Sequence, residues 1–103
     1  MELTTLTDQF EQISSIYAQK FGVERTPEWF LLKLTEELGE LIQSFLKYSG
    51  QTRQGDQSEP ELRRDLEDEL ADVLGMTLLV ANHLQINLED AISRKWLSHL
   101  SAD

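Results

Sequence analysis

Nine consecutive residues, Val73-Leu-Gly-Met-Thr-Leu-Leu-Val-Ala81, carry no charge and, wound as a helix, are apolar around nearly the whole circumference. A helix of that kind must be covered on all sides. The chain has 103 residues, room for one domain spanning 1–103, and a domain this small buries only a modest fraction of its surface when it folds alone. Four helices of this size can hardly enclose one of their own completely. The expectation is that Val73–Ala81 lies at a subunit interface, in a homodimer or a dimer of dimers (homotetramer).

Periodicity and punctuation define four helices. The first runs from about Thr5 to Lys20, with Phe10, Ile13, Ile16, Tyr17 and Phe21 on one stripe and Gly22 as its stop. The second opens at Thr26-Pro27, an N-cap followed by proline at the first helical position, and runs to about Tyr48. A polar, glycine-containing loop covers Ser49 to Glu59. Ser58 and Glu61 stand at capping-box spacing before a long helix to about Gln85. Asn87, with Glu89 and Asp90 in the next turn, starts a last helix through about Leu100. No stretch alternates as a strand would, so the fold is all-α, a four-helix bundle.

Composition removes several function classes. The net charge of -10 argues against a nucleic acid polymer as partner, because that affinity rests on clustered Lys and Arg. It is compatible with a nucleotide that arrives with a divalent cation. Cysteine is absent, which excludes disulfides, thiolate metal sites and cysteine nucleophiles together. Val73–Ala81 is far shorter than the roughly 18 to 20 residues of a membrane span, and no leader is evident at the first residues. A cytoplasmic protein without membrane contact is the default expectation.

The acidic residues fall into two near-copies. Glu37-Leu-Gly-Glu40-Leu-Ile and Glu69-Leu-Ala-Asp72-Val-Leu share an acid, Leu, small, acid, apolar, apolar pattern. On a wheel of about 100° per residue, Leu34, Leu38, Leu41 and Phe45 form a stripe with Glu37 and Glu40 at its edge and Glu36 further round. Leu66, Leu70, Val73, Leu74 and Thr77 form the matching stripe, with Glu69 and Asp72 beyond its edge in the same sense. Carboxylates three apart project from one face, so antiparallel packing of the two stripes can bring four to one patch. Gly39 and Ala71 are expected to let the helices approach closely. Oxygen ligands without His or Cys suit Mg²⁺, with Mn²⁺ as the substitute. A single Glu-x-x-Glu is more often a solvated helix face. Two matched pairs with Lys33 as the one nearby cation weigh against that, because like charges so crowded destabilise a helix.

Glu36-Glu37-x-x-Glu40 followed by Glu69-x-x-Asp72, with Lys33-Leu-Thr-Glu-Glu-Leu-Gly-Glu-Leu, Asp68-Glu-Leu-Ala-Asp-Val-Leu and Asn87-Leu-Glu-Asp-Ala-Ile leading to Lys95-Trp96, resembles the MazG-like branch of the all-α nucleoside triphosphate pyrophosphohydrolases. The resemblance covers roughly Trp29 to Trp96. It implies an enzyme in which water attacks the α-phosphorus of a (deoxy)nucleoside triphosphate, giving the monophosphate and pyrophosphate in a house-cleaning role. By position it implies Glu37, Glu40, Glu69 and Asp72 as Mg²⁺ ligands, with Glu36 and Glu37 as the catalytic candidates, Glu36 orienting the water or holding a further ion. Lys95 matches a lysine directed at substrate phosphates, and Lys33 is a second candidate for them. Where the family follows that lysine with an asparagine and basic residues, this sequence has Leu97-Ser-His99-Leu. Trp29 and Met76 are candidates for the base pocket, each also readable as packing. His83 and His99 have no metal-ligand spacing with the acids.

Three other readings stay open at this level. A phosphoribosyl-ATP pyrophosphatase has similar size and acidic motifs. A non-catalytic helical module would use the apolar segment for oligomerisation or partner binding. A carboxylate-bridged di-iron bundle would call for Glu-x-x-His pairs, and the sequence has none.

Overall fold

The computed structural model describes residues 2–100. Among these the chain is all-helical, with α1 over Leu3–Phe21, α2 over Pro27–Tyr48, α3 over Glu59–His83, α4 over Leu88–Lys95 and a 3₁₀ turn over Leu97–Leu100. The ends are where the capping chemistry puts them. Gly22 takes φ 65°, the left-handed geometry that ends α1. Thr26 Oγ1 accepts from the Trp29 N–H at 3.1 Å, ahead of Pro27. Ser58 and Glu61 form a reciprocal capping box, and Asn87 Oδ1 accepts from the Asp90 N–H at 3.1 Å. The last helix stops earlier than its sequence suggests. The Ser98 hydroxyl donates to the Arg94 carbonyl at 2.8 Å within the 3₁₀ turn that follows.

The centre of the fold is the antiparallel hairpin of α2 and α3. The rings of Phe30 and His83 lie 4.8 Å apart at one end, and Arg63 Nη1 donates to the Tyr48 hydroxyl at 3.1 Å at the other. The connecting loop is tied down by side chains. Lys47 Nζ donates to Gln57 Oε1 at 3.1 Å, and Gln57 Nε2 donates to Asp65 Oδ2 at 2.7 Å. This clamp holds the two helices in one register at the loop end.

α1 covers the back of α3. Gly75 is buried against Phe10, and a Cβ at Gly75 would stand 2.6 Å from that ring. Arg25 pins the α1–α2 turn, donating to Glu11 at 2.6 Å and to Ser15 at 2.8 Å while lying over the Phe30 ring. Within the chain the nearly all-round apolar segment is covered in part: Leu78, Leu79 and Ala81 are buried, Val73, Met76, Thr77 and Val80 are half-buried, and Leu74 is exposed.

Two further expectations are corrected. Gly39 and Ala71 face outward, and nothing lies within 4 Å of a Cβ built at Gly39, so the close helix approach belongs to Gly75. The leucine stripes are also wider than the seam that joins them. Leu38, Phe45, Leu70 and Leu74 remain exposed. The covered line on α2 is Phe30, Leu34, Glu37, Leu41, Ser44 and Tyr48, and on α3 it is Leu62, Leu66, Glu69, Val73 and Val80. α4 packs sparsely, and the radius of gyration is 16.6 Å, against about 13 Å for a compact chain of this length. One chain therefore supplies four helices without closing them into a compact bundle.

The Gly75 contact gives a paired prediction. Gly75→Ala is expected to lower stability by about 1 to 2 kcal/mol through overpacking against Phe10, with partial recovery in the Gly75→Ala/Phe10→Leu double variant. Gly39→Ala should raise stability by up to about 1 kcal/mol, because the site is open and alanine favours the helix. Urea denaturation of the four proteins checks this; equal midpoints for the two glycine variants would contradict it.

Candidate metal centre

The covered line of α2 places a glutamate where an apolar residue would be expected. Glu37 follows Phe30 and Leu34 at helical spacing of four and three, and so points into the α2–α3 seam. Glu69 follows Leu62 and Leu66 in the same way on α3. The antiparallel register then sets Glu37 across from Asp72 and Glu40 across from Glu69. One carboxylate oxygen from each of Glu37, Glu40 and Glu69 lies within 4.8 Å of the others.

The electrostatics follow from that placement. Glu37 Oε2 and Glu69 Oε2 are fully shielded from solvent and have no hydrogen-bond donor. Burial, then the charges of Glu40 and Asp72, push the Glu37 carboxyl up to about 7. Glu69 is raised by burial and by Glu40 and Asp72. Asp72 is raised by burial and by the charges of Glu40 and Asp68, with a proton on Glu37 acting the other way. An acceptor-only oxygen buried without a donor is costly, and a hard divalent cation held by the clustered carboxylates would offset that cost. The set contains no nitrogen or sulfur ligand, so it fits Mg²⁺ or Mn²⁺ rather than zinc. The third cluster member, Glu40, is exposed, which leaves a side open for further oxygen ligands from water or phosphate.

The other candidate residues divide. Glu36 lies outside the three-carboxylate cluster and is held by Lys33, Nζ to Oε1 at 2.5 Å. Lys33 is accordingly raised, first by the Glu36 hydrogen bond and further by the charges of Glu36 and Glu37, so its ion pair is with a glutamate beside the cluster. Trp29 is half-buried, edge-on to Phe30 with ring centroids 5.1 Å apart. Met76 is half-buried one turn beyond Asp72, on the same flank as the acids and level with Lys33. Lys95 is exposed at the end of α4 and makes no ion pair with the cluster. His83 is exposed against Phe30, and His99 sits in the 3₁₀ turn.

One residue escaped the sequence reading. The Ser44 hydroxyl is buried without a partner in the same seam, one turn beyond Glu40. The signal was its spacing of seven from Glu37, which places both on the covered line.

The all-α hairpin thus carries in its seam a cluster of carboxylates that could hold a metal ion through oxygen ligands. Residues 25–96 match the MazG nucleotide pyrophosphohydrolase domain, and the chain belongs to that family. No curated protein and no solved structure gave a match. The matched segment contains α2, α3 and α4 and every acid of the cluster. No helix among the described residues is long and apolar enough to cross a membrane.

The raised carboxyls make stability depend on pH. Folded Glu37 binds its proton more tightly than the unfolded chain, whose ordinary value is 4.5, so its contribution is full below about 4.5 and is lost as pH rises through about 7. Glu11, held low by Arg25, acts oppositely, and its contribution is lost only as pH falls below the ordinary carboxylate range. Metal-free protein should thus melt at progressively lower temperature from about pH 5 to about pH 8, and Glu37→Gln should flatten that slope. Saturating Mg²⁺ should restore the wild type at high pH and leave Glu37→Gln unchanged. Identical slopes in melts of the two proteins would remove Glu37 as the cause.

Proposed function

We propose that the chain is a Mg²⁺-dependent nucleoside triphosphate pyrophosphohydrolase, with Mn²⁺ able to replace Mg²⁺. It would cleave a (deoxy)nucleoside triphosphate to the monophosphate and pyrophosphate by water attack on the α-phosphorus. The proposal takes 1–103 as a single catalytic domain, acting in the cytoplasm in a house-cleaning role as a homodimer or dimer of dimers. The observation that carries it is the pair of buried, donorless oxygens on Glu37 and Glu69, with Glu40 within 4.8 Å, inside a segment matching the family.

Glu37, Glu40 and Glu69, with Asp72 across the seam, are the residues that would hold the cation. A bound divalent ion supplies charge neutralisation at phosphate oxygens and acidifies coordinated water. The seam fixes the carboxylates before substrate arrives, so no reorganisation of the ligand oxygens is needed during the reaction. Glu36, paired with Lys33 beside the cluster, would orient the attacking water through its carboxylate. Lys33 and Lys95 are the proposed phosphate contacts, Lys33 the nearer to the acids. Trp29 and Met76, on the acid-bearing flank, would bracket the base between an aromatic edge and a pliable thioether.

The test is Mg²⁺-dependent release of pyrophosphate across ordinary and modified (deoxy)nucleoside triphosphates, with phosphoribosyl-ATP in the same panel. Glu40→Gln and Asp72→Asn should each reduce the rate on the order of 100-fold, the loss of about 2.7 kcal/mol of transition-state stabilisation. Selective turnover of phosphoribosyl-ATP would move the chain to the histidine-biosynthetic branch, and full activity in both variants would dismiss the proposed site.

A further inference from the structure

The likeness of the two acidic motifs extends one turn past the acids. Glu37-x-x-Glu40-x-x-x-Ser44 on α2 matches Glu69-x-x-Asp72-x-x-x-Met76 on α3, so a hydroxyl stands on one helix where a thioether stands on the other. At about 100° per residue, Ser44 lies roughly 20° round α2 from Glu37 and 40° from Glu40, on the acid side of the covered line. Its oxygen is sealed from solvent and has no partner. A hydroxyl on a helix has a ready acceptor in the carbonyl one turn back. On the same two helices Thr35 donates to the Leu31 carbonyl at 3.0 Å, and Thr77 to the Val73 carbonyl at 2.8 Å. Ser44 makes no such bond, which leaves its proton for the seam.

Register supplies the acceptor. Glu40 stands across from Glu69, and Ser44 is one turn, about 6 Å, nearer the loop. Side chains on a helix lean toward its N-terminus, and α3 begins at the loop with Glu59. The Glu69 chain therefore leans from the level of Glu40 toward that of Ser44. Glu69 Oε2 is likewise sealed and without a donor. Nearby nitrogen donors are committed elsewhere, Lys47 to Gln57, Gln57 to Asp65 and Lys33 to Glu36. An unused donor and an unused acceptor thus enter one seam from opposite helices, and each carries a desolvation cost that joining them removes. A carboxylate that ligates a cation through one oxygen is held at its angle by hydrogen bonds to the other.

We propose that Ser44 is a positioning residue for the metal centre, its hydroxyl donating to Glu69 Oε2 and so fixing the angle at which Glu69 presents its other oxygen to the cation. Turning one side-chain torsion aims the hydroxyl. Met76, at the matching place on α3, cannot do the same for Glu37, because a thioether has no proton to donate. The assignment rests on the cation-binding reading of the cluster and is independent of the nucleotide chemistry.

Titration of the full chain with Mn²⁺, the free ion read by electron paramagnetic resonance, tests it. Ser44→Ala should raise the Mn²⁺ Kd about tenfold, whereas Ser44→Thr, which keeps the hydroxyl, should stay within about threefold of the wild type. Metal-free melting separates positioning from packing. Ser44→Ala deletes an unpaired buried hydroxyl, so without metal it should melt at or above the wild-type temperature, and it should gain less from a fixed Mn²⁺ concentration. A lower metal-free melting temperature with an unchanged Kd would make Ser44 a packing residue and overturn the assignment. Equal weakening in Ser44→Ala and Ser44→Thr would overturn it as well, with the metal centre left standing. A wild type that takes up no Mn²⁺ would overturn both. Absence of pyrophosphate release with this Kd pattern intact would refute the catalytic reading alone.

Discussion

Two glutamates in an apolar helix seam set the terms for the rest of this molecule. Glu37 and Glu69 sit at positions where helix packing ordinarily asks for leucine, and each keeps one carboxylate oxygen out of reach of water and of any donor. Left ionised and unmatched, two such groups would oppose the pairing of α2 and α3. Protonation relieves part of the cost, which is why the Glu37 carboxyl stands near 7. A divalent cation relieves it differently, by supplying the missing electrostatic partner. The same placement that weakens the bare hairpin would favour a bound metal ion there.

The hairpin tolerates this defect because it is secured elsewhere. Phe30 against His83 closes one end, while the Tyr48–Arg63 bond and the Lys47–Gln57–Asp65 relay close the other. α1 then buries the back of α3 through the Gly75–Phe10 contact, and Arg25 fixes the turn that delivers α2 to its place. These contacts lie away from the acids. Substitution among them changes stability first, and the site only through the register of the two helices.

Much of the architecture was legible in the residues. Thr26-Pro27, the Ser58/Glu61 box, Asn87 and Gly22 set helix ends through local hydrogen bonds and φ preferences, which need no tertiary information. The duplicated acid pattern at three-residue spacing fixed which carboxylates could share a face. What the wheel missed was the seam's centre. Leu38, Phe45, Leu70 and Leu74 are as apolar as Leu34 and Leu41, so hydrophobicity alone drew the stripe too wide and left Glu37 and Glu69 at its edge. The phase of a seam is chosen by the partner helix and by crossing geometry, not by either stripe alone.

The opening feature divides in the same way. Composition determined that Val73–Ala81 must be covered, since an uncharged helix with no polar side cannot face water. The tertiary structure decided how much of it the same chain covers: Gly75 admits the Phe10 ring of α1, Leu78, Leu79 and Ala81 are buried, and Leu74 stays exposed. Sequence likewise determined that four carboxylates could meet on two helices and that oxygen was their only ligand chemistry. Only the antiparallel register decided that Glu37, Glu40 and Glu69 do converge, with Asp72 across the seam, and that Glu36 stays beside them with Lys33. Register is a property of two surfaces meeting, and neither helix carries it alone.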